Sequence, residues 1–175
     1  MSGHNKWSQI KHKKAKTDAQ KSKQFSKFSR LITEEARKSK GDKNSANVRA
    51  AIERAHEVNM PNDAIERAIK KATESSARLE MVTYEAYGPG GCAMIIEAFT
   101  ANKNKATQEV KFILTKNGFS LATPGSASWA FERHGIQWKP TSTTALADTD
   151  LIALEKLIDE LEDNEEVQEV FTNVE

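Results

Sequence analysis

Residues 81–99, with the sequence MVTYEAYGPGGCAMIIEAF, decide the fold of the second half of the chain. Apolar and polar side chains alternate over 81–87, as in a half-buried β-strand, and 92–99 are almost continuously apolar, as in a strand near the centre of a sheet. Between them, Gly88-Pro89-Gly90-Gly91 is a strong turn signal. It precedes a strand rather than a helix and lacks the Lys-Ser/Thr of a P-loop, so we interpret it as a tight hairpin turn rather than a phosphate-binding loop.

The elements that follow residue 99 alternate between helix and strand. The spacing of apolar residues predicts a helix over about 104–117, strands around 129–131 and 136–138, an acidic helix from about 148, and a last strand over 167–174. From residue 92 onward the order is therefore β-α-β-β-α-β, the ferredoxin-like arrangement, to which the strand at 81–87 adds through the glycine turn.

The first half of the chain carries the periodicity of three helices. The first begins at Thr17 or Asp18, either of which can cap it, and Pro61 fits the first turn of the third. Many of the inward-facing residues are alanines, so these helices can approach one another closely. The chain is predicted to be α+β, with a basic N-terminal arm (1–16), a three-helix domain (17–75) and a ferredoxin-like antiparallel-sheet domain (80–175).

Charge is divided unequally between the two halves, although the whole chain has a formal net charge of only +1. Residues 1–79 contain 19 Lys and Arg against 9 Asp and Glu, whereas residues 80–175 contain 7 against 16. Such a split indicates two domains with different partners, the basic one facing a polyanion. The alternative is that the acidic half docks on the basic half and neutralises it.

The basic arm and the first helix are the strongest functional signal. Residues 1–40 contain 12 Lys and Arg against Asp18, Glu34 and Glu35. Spaced cations neutralise phosphates and release counterions, and Trp7 offers a face on which a base can stack. The alternative is that Trp7 and Ile10 only anchor the arm on the helices. The predicted nucleic-acid-binding residues are Lys6, Trp7, Lys11, His12, Lys13, Lys14, Lys16, Lys21, Lys23, Lys27 and Arg30.

Residues capable of catalysis or metal binding are sparse. No two of the four histidines stand at a His-x3-His spacing, and Cys92 lies within an apolar strand, where a thiol is usually a small buried hydrophobe. The carboxylates of 148–169 fall on the outer side of a leucine-rich helix, which is typical of a solvated face. We therefore predict a non-enzymatic protein with no cofactor and no metal.

Composition also restricts the compartment. No apolar run approaches the ~18 residues of a membrane-spanning helix, and the first residues lack the apolar core of a signal peptide. The single cysteine excludes an internal disulfide. The expectation is a cytoplasmic protein with no membrane partner, and a monomer by default.

Several motifs resemble those of the YebC/PmpR family, in the same order along nearly the whole chain. They are Gly3-His4-Asn5-Lys6-Trp7, Asn59-Met60-Pro61, the segment from Tyr84 to Gly91, Asn102-Lys103-Asn104 and Gly125-Ser126. The resemblance implies a regulator of gene expression with a helical N-terminal domain, a ferredoxin-like domain and a third domain inserted within the second. The third domain is expected to be missing here, near residues 139–147.

Three functions remain open at this point. We favour a regulator of translation that associates with RNA or the ribosome, with ribosomal or messenger RNA as its partner. The alternative is a transcriptional regulator that binds duplex DNA, against which no helix with a cluster of Arg, Asn and Gln is obvious. A further alternative is a small-ligand or protein-docking module built on the ferredoxin-like half.

Overall fold

The computed structural model describes residues 16–175, which fall into two compact units, Lys16–Leu79 and Glu80–Glu175. Among these residues, no helix combines the length and apolarity needed to cross a bilayer.

The first unit consists of three helices, α1 (Asp18–Lys38), α2 (Ala46–Glu57) and α3 (Asn62–Glu74). A reciprocal capping box fixes the start of α1: the backbone N–H of Gln20 donates to Thr17 Oγ1 at 3.2 Å, and the Thr17 N–H donates to Gln20 Oε1 at 2.8 Å. Ser45 caps α2 through the Val48 N–H, and Pro61 occupies the N-cap of α3. The predicted starts of the first and third helices are confirmed to within one residue.

Small residues allow the three helices to pack closely. Ala36, Ala51, Ala55 and Ala68 are almost fully buried, and the Thr33 hydroxyl of α1 donates to the carbonyl oxygen of Ala68 on α3 at 2.9 Å. The remaining core of this unit is Leu31, Ile32, Val48, Met60, Ile65, Ile69 and Ala72.

The second unit is an antiparallel sheet with two helices and a hairpin. Its elements are β1 (Glu80–Tyr87), β2 (Ala93–Thr100), α4 (Lys103–Lys116), β3 (Leu121–Ala122), β4 (Phe131–His134), β5 (Gln137–Pro140), α5 (Asp148–Asp163) and β6 (Val167–Thr172). The sheet order is β3-β1-β2-β6, and every neighbouring pair is antiparallel. All eight residues of β2 are buried, as expected for a central strand. The predicted α+β class, with a helical first half and an antiparallel-sheet second half, is confirmed.

One assignment within that sheet was wrong. The strands predicted around 129–131 and 136–138 are β4 and β5, which pair only with each other in a separate two-stranded sheet. The position between β2 and β3 belongs instead to β1, which pairs with β2 along its full length of eight residues. The hairpin strands are four residues each, so they offer fewer backbone hydrogen bonds. The resulting path β2-α4-β3 encloses β1 and keeps the split β-α-β arrangement.

Alternation along β2 divides its side chains between two cores. Met94, Ile96 and Ala98 belong to the core that contains residues of α4 and α5. Ala93 and Ile95 belong to a smaller core with Ala127, Ala130 and Phe131, against which Trp138 packs. The sheet is therefore covered by helices on one face and by the hairpin and its preceding loop on the other.

Candidate nucleic-acid interface

Helix α1 arranges three of the predicted cations in one stripe. Lys23, Lys27 and Arg30 are separated by four and three residues, so at 3.6 residues per turn they project on the same side of the helix. Lys23 is exposed, whereas Lys27 and Arg30 are half-buried. Lys16 and Lys21 are also exposed.

The other predicted site residues lie outside the described part of the chain. They are Lys6, Trp7, Lys11, His12, Lys13 and Lys14. Their assignment to a nucleic-acid interface stays a prediction from sequence.

An open groove of about 870 Å³ runs between α1, α3 and the segment that follows α3. Its polar lining from α1 includes the hydroxyls of Ser22, Ser26 and Ser29. Phe25, Met60, Ala64, Ala68 and Leu79 contribute apolar surface. Five cations line it, Lys21, Arg30, Arg37, Arg67 and Lys71, together with two carboxylates, Asp18 and Glu34. The groove thus combines apolar surface with a net positive lining.

Arg37 is held in place on the groove wall. Its guanidinium donates to Glu34 Oε1, and its Nη2 donates to the backbone oxygen of Ser75 at 3.5 Å. The two side chains are only 13% and 8% exposed. This pairing neutralises Glu34 locally, which leaves Asp18 as the remaining carboxylate of the lining.

The cations contributed by α3 differ in their partners. Arg67 donates to Asp63 at 2.9 Å in a pair whose side chains are both 71% exposed, so that pair is weak. Lys71 forms no ion pair with any of the residues 16–175. Its neighbour Lys70 does not line the groove and lies 3.5 Å from Glu74.

Sequence reasoning missed most of the groove. It selected Lys21 and Arg30 but not Arg37, Arg67 or Lys71, because it weighed the density of charge at the N-terminus and gave α3 no functional role. The spacing on α3 carried a signal, since Arg67 and Lys71 are one turn apart beside Ala64 and Ala68, the small residues that leave room between the helices.

The glycine turn of the second unit packs closely against α5 and the residues just before it. The Gly88 N–H donates to the Cys92 oxygen at 2.8 Å, closing the hairpin between β1 and β2. Gly90 has a φ of 65°, and a Cβ there would lie 2.5 Å from Leu146 Cδ2 and 3.1 Å from a carboxylate oxygen of Asp150. Only glycine allows the turn to approach this closely.

Cys92, at the end of that turn, is fully buried. Desolvation by burial raises the pKa of its thiol to about 11. The reactive thiolate is therefore scarce at neutral pH. The described residues also contain no group of three or more His, Cys, Asp and Glu that could hold a metal ion.

Glu85 on β1 fixes the loop that precedes β4. Its carboxylate accepts the backbone N–H groups of Gly125 at 2.7 Å and of Ala127 and Ser128 at 2.8 Å each. Burial opposes ionisation of this carboxyl, but these hydrogen bonds outweigh it and lower the pKa of Glu85 below its ordinary value. Trp129 then donates its indole N–H to the Tyr87 hydroxyl at 2.9 Å, while its side chain stays 60% exposed.

A buried carboxylate anchors the hairpin. Glu97 is 5% exposed on β2 and accepts hydrogen bonds from Arg133 Nη1 at 2.6 Å and from the Trp138 indole N–H at 2.9 Å. The Arg133 guanidinium also lies 5.2 Å from the centre of the Trp138 ring. A glutamate inside an apolar strand thus ties β4 and β5 to the sheet.

Comparisons with known proteins agree with this architecture. The family model of the TACO1/YebC protein N-terminal domain matches residues 5–75, and that of the TACO1/YebC second and third domain matches residues 79–137 and 134–174. A relative from Fervidobacterium nodosum is 38% identical over 235 residues, covering 99% of this chain and 93% of the relative. One from Kosmotoga olearia is 44% identical over 177 residues, covering 98% and 70%. Both are named probable transcriptional regulatory protein.

A solved structure shares the fold. The crystal structure of a conserved hypothetical protein from Aquifex aeolicus superimposes with a TM-score of 0.79 and 31% identity, covering 97% of this chain and 96% of that one. The resemblance drawn from sequence motifs is confirmed, and the chain belongs to the TACO1/YebC family.

Proposed function

We propose that this protein is a non-enzymatic regulator of gene expression that binds nucleic acid through its helical unit. The observation that carries the proposal is the clustering of cations there: the stripe Lys23, Lys27 and Arg30 adjoins a groove lined by four more cations. Residues 16–79 contain 15 Lys and Arg against 9 Asp and Glu. Such a surface binds phosphates mainly by releasing condensed counterions.

The names of the relatives and the burial of the single thiol support the same class. The relatives from Fervidobacterium nodosum and Kosmotoga olearia carry the name of a transcriptional regulatory protein. The only cysteine is buried with a raised pKa, which makes it a poor nucleophile. These features favour recognition of a polyanion over chemistry on a substrate.

We favour RNA, and a role in translation at the ribosome, over duplex DNA. The cations of the groove surround a concave surface, whereas reading a duplex by its bases requires an element that protrudes into the major groove. The names of the relatives favour the alternative, transcriptional regulation on DNA. In either case the predicted arm residues, from Lys6 to Lys16, would add phosphate contacts to those of α1.

The test is binding of the full chain to ribosomes, structured RNA and duplex DNA across a salt series. In the double variant Lys23→Glu/Lys27→Glu, we expect weaker binding and a salt slope reduced by about 1.4 to 1.8, since each phosphate contact contributes about 0.7 to 0.9. The matched control is Lys103→Glu/Lys111→Glu, which makes the same charge change at exposed lysines of α4.

Three outcomes separate the functions. Loss of ribosome or RNA binding in the α1 variant alone supports the translation role. Sequence-dependent duplex binding that is lost in the same variant supports the transcription role. If the wild-type chain shows no salt-dependent affinity for any of these polyanions, or if both double variants behave alike, the proposal fails. Changing Lys11, Lys13 and Lys14 to Glu tests the arm separately.

A further inference from the structure

We infer that the groove between α1 and α3 is a binding site for an unpaired stretch of RNA, with phosphates at its cationic rim and bases against its apolar surface. This inference rests on the proposed function and assigns it a site and a form of ligand. The groove is formed entirely by residues of the helical unit, from Asp18 to Leu79.

The size and shape of the groove select an unpaired strand. Its volume of about 870 Å³ lies within the ~300–1,000 Å³ typical of sites for small ligands, enough for a few nucleotides and too little for a duplex. A duplex also presents its phosphates on ridges and keeps its bases stacked inside. A single strand can turn its bases into a concave surface while its backbone follows the rim.

The rim supplies charge complementary to phosphate from both walls. Lys21 and Arg30 come from α1, and Arg67 and Lys71 come from α3. Arg37 is already fixed by Glu34 and by the Ser75 carbonyl, so binding costs little of its side-chain entropy. Lys71 is exposed and forms no ion pair with the described residues, so it can turn to a phosphate without breaking an existing contact.

The wall between these cations supplies hydroxyls. Ser22, Ser26 and Ser29 lie one turn apart along α1, and all three line the groove. Their hydroxyls form no hydrogen bond within the described part of the chain, whereas the next hydroxyl, that of Thr33, is engaged with Ala68. A hydroxyl can donate to and accept from a ribose 2′-OH, the group that distinguishes RNA from DNA.

Phe25 provides the aromatic surface. It is half-buried and lines the groove, together with Met60 and Leu79. Phe28, one turn further along α1, instead lies under the guanidinium of Arg54, 5.6 Å from the ring centre, and is absent from the groove. Only the first of these two rings is placed where a base could stack on it.

Adjacent lysines on α3 give a matched test. Lys71→Glu should weaken binding of a 12-nucleotide unpaired RNA about tenfold, because it replaces a cation that faces a phosphate by an anion, and should lower the salt slope by about 0.7. Lys70→Glu makes the same charge change one residue away, outside the groove. Lys70→Glu also places a carboxylate one turn from Glu74, so any loss of helix stability should be larger in this variant than in Lys71→Glu.

Phe25→Leu should weaken binding about fivefold relative to Phe28→Leu.

Comparison of ligands completes the test. The same RNA annealed to its complement should bind the wild-type protein more weakly than the unpaired RNA does. Single-stranded DNA of the same sequence should also bind the wild-type protein more weakly than the unpaired RNA. In the Ser22→Ala/Ser26→Ala variant the unpaired RNA and the single-stranded DNA should bind equally. Equal affinities of the Lys71→Glu and Lys70→Glu variants would overturn the groove as the site. If the Lys23→Glu/Lys27→Glu variant still loses binding in that case, the proposed function stands and only the groove fails. Stronger binding of duplex than of unpaired RNA would overturn the inferred form of the ligand, and no binding of any nucleic acid would overturn both proposals.

Discussion

The loop before β4 is held by one carboxylate, that of Glu85. Glu85→Gln should therefore lower the stability of the second unit substantially, although the two side chains have nearly the same shape. The wild-type carboxylate accepts three backbone N–H groups, from Gly125, Ala127 and Ser128. A carboxamide has one oxygen and one NH₂ group, so in the variant at least one of these donors faces another donor. The amide orientation that keeps the buried Ala127 N–H paired turns its NH₂ group toward the Gly125 N–H, and in either orientation the remaining hydrogen bonds lose their charged acceptor.

The expected cost is about 2–4 kcal/mol at pH 7. Hydrogen bonds to a charged acceptor contribute ~1.5–3 kcal/mol each, and an unsatisfied buried N–H costs ~1–3 kcal/mol. The exposed Gly125 amide can bind water, which keeps the total below the sum of three such bonds. The pKa of Glu85 is lowered in the folded state, so its contribution is present above the unfolded-state pKa of about 4.3 and is lost as the pH falls through the lowered folded-state pKa. The gap in stability between the two proteins should therefore narrow as the pH falls below about 4.3.

Tryptophan fluorescence during urea unfolding can measure this effect in the second unit alone. In a Trp7→Phe background the remaining tryptophans are Trp129 and Trp138, both within that unit. Glu80→Gln is the matched control, an exposed glutamate at the start of the same strand. Equal free energies of unfolding for the Glu85 and Glu80 variants at pH 7, or a gap that persists unchanged at pH 3, would refute the role assigned to the Glu85 carboxylate.

Three further predictions concern the turn, the thiol and the hairpin. Gly90→Ala should lower the free energy of unfolding by about 2–4 kcal/mol, because the added Cβ would lie 2.5 Å from Leu146 Cδ2. Gly91 also has a positive φ, of 77°, but open space around its Cβ position, so Gly91→Ala should cost only ~1–2 kcal/mol. Urea unfolding of both variants measures the difference. Cys92, with a pKa of about 11, should resist alkylation by iodoacetamide at pH 8 in the native state and react once urea unfolds the chain, and rapid native labelling would contradict its burial. Arg133→Met should cost about 3 kcal/mol, because it leaves a buried glutamate on β2 with only the indole of the hairpin as donor; a cost below about 1 kcal/mol in thermal unfolding would show that the pair is not needed.

Local signals in the sequence were sufficient for most elements. Helix starts were predictable because Thr17 and Pro61 act through contacts within one turn. The central strand was predictable because eight consecutive residues of β2 are buried on both faces. In each case the cause lies within a few residues of the effect.

Pairing over long distances was not predictable in the same way. The apolar pattern near Trp129 and Trp138 is typical of β-strands, but it contains no information on which strand each one pairs with. In the structure, β4 and β5 pair only with each other. Trp129 itself lies in a short 3-10 turn, Ser128–Ala130, and is exposed. The two-residue strand β3 has too few residues for any period to show. The buried Glu97 could not be foreseen either, because its donors lie 36 and 41 residues away.

The candidate site shows the same division between local and tertiary causes. The stripe of Lys23, Lys27 and Arg30 follows from helical spacing alone. The groove requires knowing that α3 packs beside α1 with its alanines inward, which places Arg67 and Lys71 opposite the serines of α1. Charge density along the sequence identifies the basic half of the chain, but not the concave surface within it.

The separation of β4 and β5 from the main sheet also bears on the length of the chain. The alignment with the Fervidobacterium nodosum relative spans 235 positions, well beyond the 175 residues of this chain. The family model of the second and third domain matches two segments, 79–137 and 134–174, which meet at the turn between β4 and β5. We propose that the inserted third domain is missing near residues 139–147. The sheet β3-β1-β2-β6 takes no strand from 131–140, so chain can be added or removed there without cutting one of its backbone pairings. What must be kept is the attachment of the hairpin to the sheet, which Glu97 provides through Arg133 and Trp138.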